Sequence, residues 1–266
     1  MYQKIREPVE NDFHEVNKFI VEQLHSEVSL VESIGHYIVE AGGKRMRPIL
    51  VLLAARGNGI ENDLHIPMAA VIEFIHTATL LHDDVVDMSE LRRGRPTVNA
   101  EWNNPSSVLV GDFIYSRAFQ VLVQIADMRI MEIIANTTNR IAEGEVLQLI
   151  EKSNPQTSEE NYMRVITNKT AILFQAAAQC GAILSKSDSE IEEALRSFGM
   201  QLGLAFQLID DVLDYSGTAD ELGKNVGDDL SEGKSTLPLI YASKNGSTAQ
   251  RKVILESLNA KKLTKG

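Results

Sequence analysis

Apolar residues recur every three or four positions along most of this chain, which is the spacing of one face of an α-helix. Val165, Ile172 and Ala176 illustrate the spacing within one such run. The pattern predicts five long helices, at 68–88, 106–125, 129–152, 159–184 and 189–215. No pair of β-branched segments around an Asn-Gly turn is found, so a β-hairpin is not expected. The periodicity therefore predicts an all-α fold.

Two segments, at 66–81 and 169–184, are apolar over most of the helix circumference. Helices of this kind are buried on all sides, so both are expected to be central helices surrounded by others. Two asparagines before Pro105 are a helix N-cap signal. The stretch 217–236, with four glycines and mixed charge, is expected to be a mobile loop between helices.

The composition narrows the class of protein. The 266 residues include 26 Lys and Arg against 37 Asp and Glu, and the net charge of −11 argues against a nucleic-acid binder with a basic surface. The single cysteine, Cys180, excludes disulfide frameworks and cysteine-based zinc sites and fits a reducing compartment. Neither a signal peptide nor a run of apolar residues long enough to span a membrane is found, so a cytoplasmic protein is expected.

Two aspartate-rich motifs each end an apolar helical run. They are DDVVD, with Asp83, Asp84 and Asp87, and DDVLD, with Asp210, Asp211 and Asp214. On a helix, positions i and i+4 share a face with i+1 beside them, so each motif is expected to gather three carboxylates. Their repulsion calls for a cation, and Mg²⁺ prefers oxygen ligands together with substrate phosphates. The alternative is two acidic helix ends that face solvent.

Two compact basic clusters flank glycines in this acidic chain. The first, in GGKRMRP, contains Lys44, Arg45 and Arg47, and the second, in LRRGRP, contains Arg92, Arg93 and Arg95. Arginine binds phosphate through two nitrogens at once, and glycine lets the backbone approach closely, so both clusters are candidate phosphate sites. The alternative is ordinary basic residues at the surface. With the aspartates, the clusters predict binding of two phosphorylated ligands and departure of a diphosphate.

These motifs resemble those of the trans-polyprenyl diphosphate synthases. The matching segments are GGKRMRP at 42–48, HTATLLHDDVVD at 76–87, RRGRPTVN at 92–99, KTA at 169–171 and FQLIDDVLDY at 206–215. The resemblance covers about 34–238 and implies an isoprenoid-synthase-type bundle of long helices around a deep central cavity. It implies a single domain over 1–266 that lacks the family's last C-terminal helices, and it implies a homodimer.

The resemblance also implies an activity. It is the Mg²⁺-dependent elongation of an allylic diphosphate, such as farnesyl diphosphate, with successive isopentenyl diphosphate units. The expected product is a long all-trans polyprenyl diphosphate, most simply octaprenyl diphosphate, which is delivered to the membrane for the side chains of quinones such as ubiquinone.

The family pattern assigns roles residue by residue. The metal-binding set is Asp83, Asp84, Asp87, Asp210, Asp211 and Asp214. The catalytic set is the same aspartates without Asp214 and with Lys169. The set that binds isopentenyl diphosphate is Lys44, Arg47, His76 and Arg93. The set that binds the allylic diphosphate is Arg92, Lys169, Thr170, Gln207 and Lys224. Outside its motif, a histidine such as His76 would be a core residue.

Ala78 and Thr79 are expected to control product length. They lie five and four residues before Asp83, about one turn below the carboxylates, and small side chains there would leave a tunnel open for the growing chain. Large apolar residues such as Leu122 or Ile134 would then form the floor of the tunnel. The alternative is that Ala78 and Thr79 are small only because helices pack closely.

Two other functions compete with chain elongation. A terpene cyclase or head-to-head synthase also ionises diphosphates with aspartate-rich helices, but it does not need the GGKRMRP cluster for a second diphosphate. A non-catalytic regulatory subunit of a heteromeric synthase would be expected to lose one aspartate motif, whereas both motifs are intact here.

Overall fold

A computed structural model of the chain describes residues 2–152, 154, 156–216 and 227–259, and these are almost entirely helical. The first helices are α1 (Tyr2–Arg6), a short 3-10 turn (Glu7–Val9), α2 (Glu10–Gln23), α3 (Ser29–Glu40), α4 (Met46–Gly57) and α5 (His65–Val86). A hairpin of β1 (Leu91–Arg92) and β2 (Arg95–Pro96) precedes α6 (Val98–Glu101), α7 (Asn104–Ile125) and α8 (Met128–Glu151). The remaining elements are α9 (Glu159–Ile166), a π turn (Thr167–Ala171), α10 (Ile172–Leu184), α11 (Ser189–Ser216), α12 (Asp228–Ser231), α13 (Leu237–Asn245) and α14 (Thr248–Asn259). The predicted all-α class is confirmed.

The chain divides into two compact units. The first unit is Met1–Thr138 with Leu173–Gly199, and the second unit is Asn139–Ile172 with Met200–Gly266. The expectation of a single domain over 1–266 stays a prediction.

The core of the first unit is built around α5. Its residues Met68, Ile72 and Ile75 have no exposed surface, and the helix packs along α4, α7 and α2. This confirms that the segment at 66–81, which is apolar on all sides, is a central helix. The alanines of α10 are buried as well, and Gly181 allows α10 to approach α4, because a Cβ at this glycine would lie 2.7 Å from Ala54 Cβ.

Helix α7 begins at the predicted asparagine cap, two residues before the predicted start at 106. The side chain of Asn103 accepts a hydrogen bond from the Ser106 amide at 2.8 Å, which satisfies one of the amides that a helix N-terminus leaves open. By length and composition α7 could cross a membrane, and no other helix among the described residues could. It packs along α5, and the Ser107 hydroxyl donates to the Leu81 carbonyl at 2.8 Å, as in the core helix of a globular unit.

The hairpin was not predicted. Leu91 pairs with Pro96 and Arg92 with Arg95, and the two turn residues, Arg93 and Gly94, have φ of 55° and 74°. Positive φ at both positions is the geometry of a type I′ turn, which matches the twist of paired strands. Strands of two residues are too short to show an alternating pattern, so the hairpin escapes a search based on periodicity.

The predicted helix at 159–184 was wrong in one respect, because the π turn at Thr167–Ala171 interrupts it. In the second unit, Gly144 of α8 lies against this turn, and a Cβ there would be 2.8 Å from the Lys169 amide nitrogen. The close approach therefore requires glycine. The predicted helix at 189–215 is confirmed as α11. In the predicted loop at 217–236, residues 217–226 lie outside the described part of the chain, and α12 forms a helical turn in the rest.

Candidate active site

The first aspartate motif lies at the C-terminal end of α5, and its three side chains differ in environment. Asp83 and Asp87 are half-buried, whereas Asp84 is 3% exposed. The hairpin brings Arg92 onto Asp84, with Nε and Nη2 donating to Oδ1 at 2.9 and 2.6 Å. Burial raises the pKa of Asp84, Arg92 opposes that effect, and the charges of Asp83 and Asp87 add to it.

The second aspartate motif lies near the end of α11, in the second unit. Asp210 is half-buried, and Asp211 is 2% exposed. The Asp211 carboxylate accepts from the Tyr162 hydroxyl at 2.6 Å and from Gln207 Nε2 at 2.7 Å. Asp214 has no exposed surface, and one of its oxygens accepts from the Asp229 amide at 3.3 Å. Asp211 and Asp214 are thus engaged inside the unit.

In the first motif the carboxylates lie close enough for the charges of Asp83 and Asp87 to raise the pKa of Asp84, and the metal-binding role of the six aspartates stays a prediction. Among the residues that the structure describes, no three acidic, histidine or cysteine side chains are grouped so that they could hold a metal ion. A buried carboxylate needs donors, and Asp84 and Asp211 find them in the side chains of Arg92 and Tyr162.

The donor chemistry nevertheless fits magnesium. Mg²⁺ keeps several waters and binds one or two carboxylates together with substrate phosphates, so a cage of three protein ligands is not required. Asp83, Asp87 and Asp210 are the carboxylates of the motifs that reach the surface. The like charges around Asp84 also mark a concentration of negative charge that a divalent cation relieves.

The predicted residues for isopentenyl diphosphate are largely brought together in the first unit. Arg47 Nη1 donates to His76 Nε2 at 3.2 Å, and the guanidinium lies 4.3 Å from the centre of the Phe174 ring. Burial lowers the pKa of Arg47 to about 10, and the charge of Glu73 opposes this. Burial, together with the charges of Arg47 and Arg93, holds the pKa of His76 well below its ordinary value. The imidazole is therefore neutral and accepts at Nε2, since arginine can only donate.

Arg93 lies beside this cluster, and its guanidinium lies on the loop that contains Gly43. A Cβ at Gly43 would lie 2.6 Å from the Arg93 guanidinium carbon, and the φ of Gly43 is 140°. The backbone conformation calls for glycine, and the Arg93 guanidinium occupies the space that a Cβ would fill. Lys44 follows directly and is exposed, and its carbonyl accepts a hydrogen bond from the Tyr2 hydroxyl.

The other two arginines of the basic clusters serve the fold. Arg45 is half-buried, binds the Asn17 side chain, and has its Nε 3.8 Å from a Glu73 carboxylate oxygen. Arg95 lies over the Tyr37 ring at 4.6 Å. Near them a cavity opens among α2, α3, α5 and the hairpin, with Arg45, Glu73 and Arg93 among its lining residues.

The allylic site residues are divided between the units. Arg92 belongs to the first unit, as described above. In the second unit, Lys169 Nζ donates to Glu145 at 2.6 Å and to Gln148 at 2.8 Å. The Thr170 hydroxyl donates to Gln207 Oε1 at 2.9 Å. The π turn presents Lys169 and Thr170, as such turns often do at functional sites. Lys224 lies outside the described residues.

The residues expected to control product length lie on α5. Ala78 has no exposed surface, and the Thr79 hydroxyl donates to the His76 carbonyl at 2.8 Å. Leu122 and Ile134, the expected floor, are 1% and 0% exposed. Close packing and a tunnel both fit these values, so the role of these residues in product length stays a prediction.

Sequence reasoning missed Glu73, Glu145 and Tyr162. Each contacts a predicted site residue or carries the charge that balances it. A single buried acid or tyrosine within a helical run has no local signature. A break in the helical spacing would have marked the π turn. The apolar pattern continues through the turn without such a break.

Comparison with known proteins leads to the family that the motifs resemble. A family model described as polyprenyl synthetase matches residues 28–265. The octaprenyl diphosphate synthase of Escherichia coli (strain K12) is 54% identical over 252 residues, which cover 95% of this chain and 78% of that protein.

Two solved structures are similar as well. A decaprenyl diphosphate synthase from Rhodobacter capsulatus is 47% identical, with a TM-score of 0.90 over 96% of this chain and 79% of that one. A polyprenyl synthase from Caulobacter crescentus CB15, complexed with calcium and isoprenyl diphosphate, is 42% identical, with a TM-score of 0.89 over 97% of this chain and 84% of that one. These matches confirm the resemblance carried by the motifs, and the chain belongs to the polyprenyl synthetase family.

Proposed function

We propose that this protein elongates an allylic diphosphate with successive isopentenyl diphosphate units and releases a long all-trans polyprenyl diphosphate. One observation carries the proposal. His76, in contact with Arg47, and Asp83 are seven residues apart on α5, so they lie on one face of the helix, roughly 10 Å apart along its axis. A cationic site and an acidic site at this spacing suit two diphosphates whose carbon chains react with each other.

The cationic site binds isopentenyl diphosphate. Lys44, Arg47 and Arg93 supply positive charge and several N–H donors for its phosphate oxygens. His76 accepts from Arg47 at Nε2, so its proton is on Nδ1, and that N–H donates to the same diphosphate. The low pKa of His76 keeps the ring neutral, which avoids a further positive charge beside two arginines.

The acidic site binds the allylic diphosphate. Asp83 and Asp87 in the first unit, and Asp210 in the second, are the carboxylates that would hold Mg²⁺, which would supply the positive charge that a departing diphosphate needs. Arg92, fixed by Asp84 in the first unit, and Lys169, fixed by Glu145 in the second, are each cations suited to phosphate oxygens. Gln207 completes the set as a neutral donor, with its Oε1 bound by the Thr170 hydroxyl, and Lys224 adds a further cation.

The bond changes follow from this arrangement. The carbon–oxygen bond of the allylic diphosphate breaks, and its electron pair leaves with the diphosphate. The double bond of isopentenyl diphosphate then attacks the allylic cation and forms the new carbon–carbon bond. Loss of a proton to the released diphosphate restores an alkene. The positive side chains stabilise the charge that develops as the first bond breaks.

The product we propose is octaprenyl diphosphate, because the E. coli relative at 54% identity is an octaprenyl diphosphate synthase. We further propose a homodimer in the cytoplasm, where the single cysteine, Cys180, stays reduced. The product is then handed to the membrane, since a chain of eight isoprene units is too apolar for water.

The test is the release of inorganic diphosphate with Mg²⁺ and farnesyl diphosphate alone, isopentenyl diphosphate alone, or both. Chain elongation predicts release only with both substrates. Release with farnesyl diphosphate alone would indicate a cyclase, and no release under any condition would indicate a regulatory subunit. Asp83→Ala and Asp210→Ala should each nearly abolish release while the circular dichroism of the protein is unchanged, because losing one of several like charges does not unfold the helix.

A further inference from the structure

Tyr162 is a buried tyrosine of α9 that has no assigned role. The residue is only 4% exposed, and its hydroxyl donates to Asp211 Oδ2 at 2.6 Å. The phenol has one hydrogen, and it is donated to this carboxylate, so the hydroxyl acts as an anchor for Asp211.

The same carboxylate orients a predicted substrate residue. Gln207 lies one turn before Asp211 on α11, and its Nε2 donates to Asp211 Oδ1 at 2.7 Å. On the other side of the amide, Oε1 of Gln207 accepts from the Thr170 hydroxyl at 2.9 Å. The amide is thus held at both ends, so its two polar atoms cannot exchange places.

The chain of hydrogen bonds runs from Tyr162 through Asp211 and Gln207 to Thr170. Both of its ends lie on one stretch of chain, the tyrosine on α9 and the threonine on the π turn, while its middle lies on α11. An amide nitrogen carries two hydrogens, and Asp211 takes one of them. The second hydrogen is held in a fixed direction, as a donor for a phosphate oxygen requires.

We propose that Tyr162 is a positioning residue for the allylic diphosphate: its hydroxyl holds Asp211 in place, and Asp211 orients Gln207 and, through it, Thr170. This inference rests on the proposed function, because it concerns the residues assigned there to the allylic substrate. It separates Asp211, whose carboxylate serves the hydrogen-bond chain, from Asp210, whose half-buried carboxylate would hold the metal.

The test uses Tyr162→Phe, which removes one hydroxyl and keeps the packing of the ring. The probe is the unreactive thiolodiphosphate analogue of farnesyl diphosphate, with its affinity measured by calorimetry at saturating Mg²⁺. We expect binding about tenfold weaker, the size expected from losing a hydrogen bond to a charged group. The KM for farnesyl diphosphate should rise by a similar factor, and the KM for isopentenyl diphosphate should not change.

Two controls separate positioning from a general structural role. Tyr215→Phe removes a second half-buried hydroxyl of the same unit, one that accepts from Thr236 Oγ1 at 3.3 Å, and it should leave the affinity for the analogue unchanged. In a Gln207→Ala background, Tyr162→Phe should cause no further loss, because the tyrosine acts through that glutamine.

Three outcomes would overturn the inference. They are unchanged affinity in Tyr162→Phe, an equal loss in the Gln207→Ala background, and a shift in the Mg²⁺ requirement without a change in analogue affinity, which would make Asp211 a metal ligand. Failure of the wild-type protein to bind the analogue or to use farnesyl diphosphate would instead refute the proposed function, on which the inference depends.

Discussion

The guanidinium of Arg92 binds the carboxylate of Asp84 through two nitrogens, with Nε and Nη2 both within 2.9 Å of Oδ1. Eight residues separate them, and the hairpin turn at Arg93 and Gly94 folds the arginine back onto the end of α5. The Arg92 side chain stays 39% exposed while that of Asp84 is 4% exposed, so the aspartate is the anchor and the arginine faces outward. The second aspartate of the first motif therefore positions a cation.

The first prediction concerns Asp84→Asn, which keeps the shape of the side chain and removes its charge. Arg92 loses its charged partner, so the KM for the allylic diphosphate should rise by about tenfold, the equivalent of ~1.4 kcal/mol. The Mg²⁺ concentration for half-maximal rate should change little. Asp83→Asn is the matched comparison, and it should reduce kcat and raise the Mg²⁺ requirement. The same phenotype in both variants would contradict the division of roles.

The second prediction concerns Gly43→Ala. The new methyl group would lie 2.6 Å from the Arg93 guanidinium carbon, so the arginine must move away from the isopentenyl diphosphate site. We expect a higher KM for isopentenyl diphosphate and an unchanged KM for the allylic substrate in steady-state kinetics.

Its control is Gly59→Ala, at a φ of 74° with no atom within 4 Å of the added methyl. This change also places alanine at a positive φ, at a cost of about 1 kcal/mol of stability, without touching an arginine. Kinetics should therefore be normal in Gly59→Ala. If both variants lost the same activity, backbone strain alone would account for the effect at Gly43.

The third prediction concerns pH and His76, whose pKa in the folded protein is held well below 6.5 by burial and then by Arg47 and Arg93. Below about pH 6.5 the unfolded chain binds a proton that the folded protein does not, so the free energy of unfolding falls as the pH is lowered. His76→Gln removes this contribution. Between pH 6.5 and 5 its unfolding free energy should fall less steeply, by up to about 1.4 kcal/mol per pH unit.

Urea unfolding across this pH range measures the effect. Glu73, whose pKa is raised by burial, contributes with the opposite sign, because the folded protein then binds the extra proton. That contribution is present in both proteins and cancels in the difference between them. Parallel curves for wild type and His76→Gln would show that His76 is not held neutral by its surroundings.

The fourth prediction concerns Ala78→Tyr. Ala78 has no exposed surface and lies about one turn below Asp83, so a large ring there would block a tunnel that descends along α5. Products should shorten towards farnesyl or geranylgeranyl diphosphate, while the first condensation continues at nearly the normal rate. Ala78→Ser, which stays small, should leave product length unchanged. A folded and active Ala78→Tyr enzyme with the normal product distribution would mean that the chain takes another route.

The sequence predicted the long helices well because their stability comes from an apolar face with a regular period. Helix α7 begins at its asparagine cap, and α11 ends one residue from the predicted position. The hairpin and the π turn escaped prediction for different reasons. The hairpin depends on positive φ at Arg93 and Gly94, and the π turn depends on the close approach of Gly144 from another helix.

The site was predictable as a set of residue types and not as a set of contacts. Spacing alone placed Asp84 and Asp211 beside their neighbouring aspartates. The partners that draw each of them into the protein are Arg92, eight residues further on, and Tyr162, 49 residues earlier. Such partners depend on tertiary packing, which no local pattern encodes.

The most direct test of the central claim is the length of the product. The wild-type protein would be incubated with farnesyl diphosphate, an excess of isotopically labelled isopentenyl diphosphate and Mg²⁺, and the products would be sized after removal of the diphosphate. We expect a ladder of products that rises by one labelled unit at a time and ends at eight isoprene units. A cyclised or unlabelled product, or unreacted farnesyl diphosphate, would contradict it.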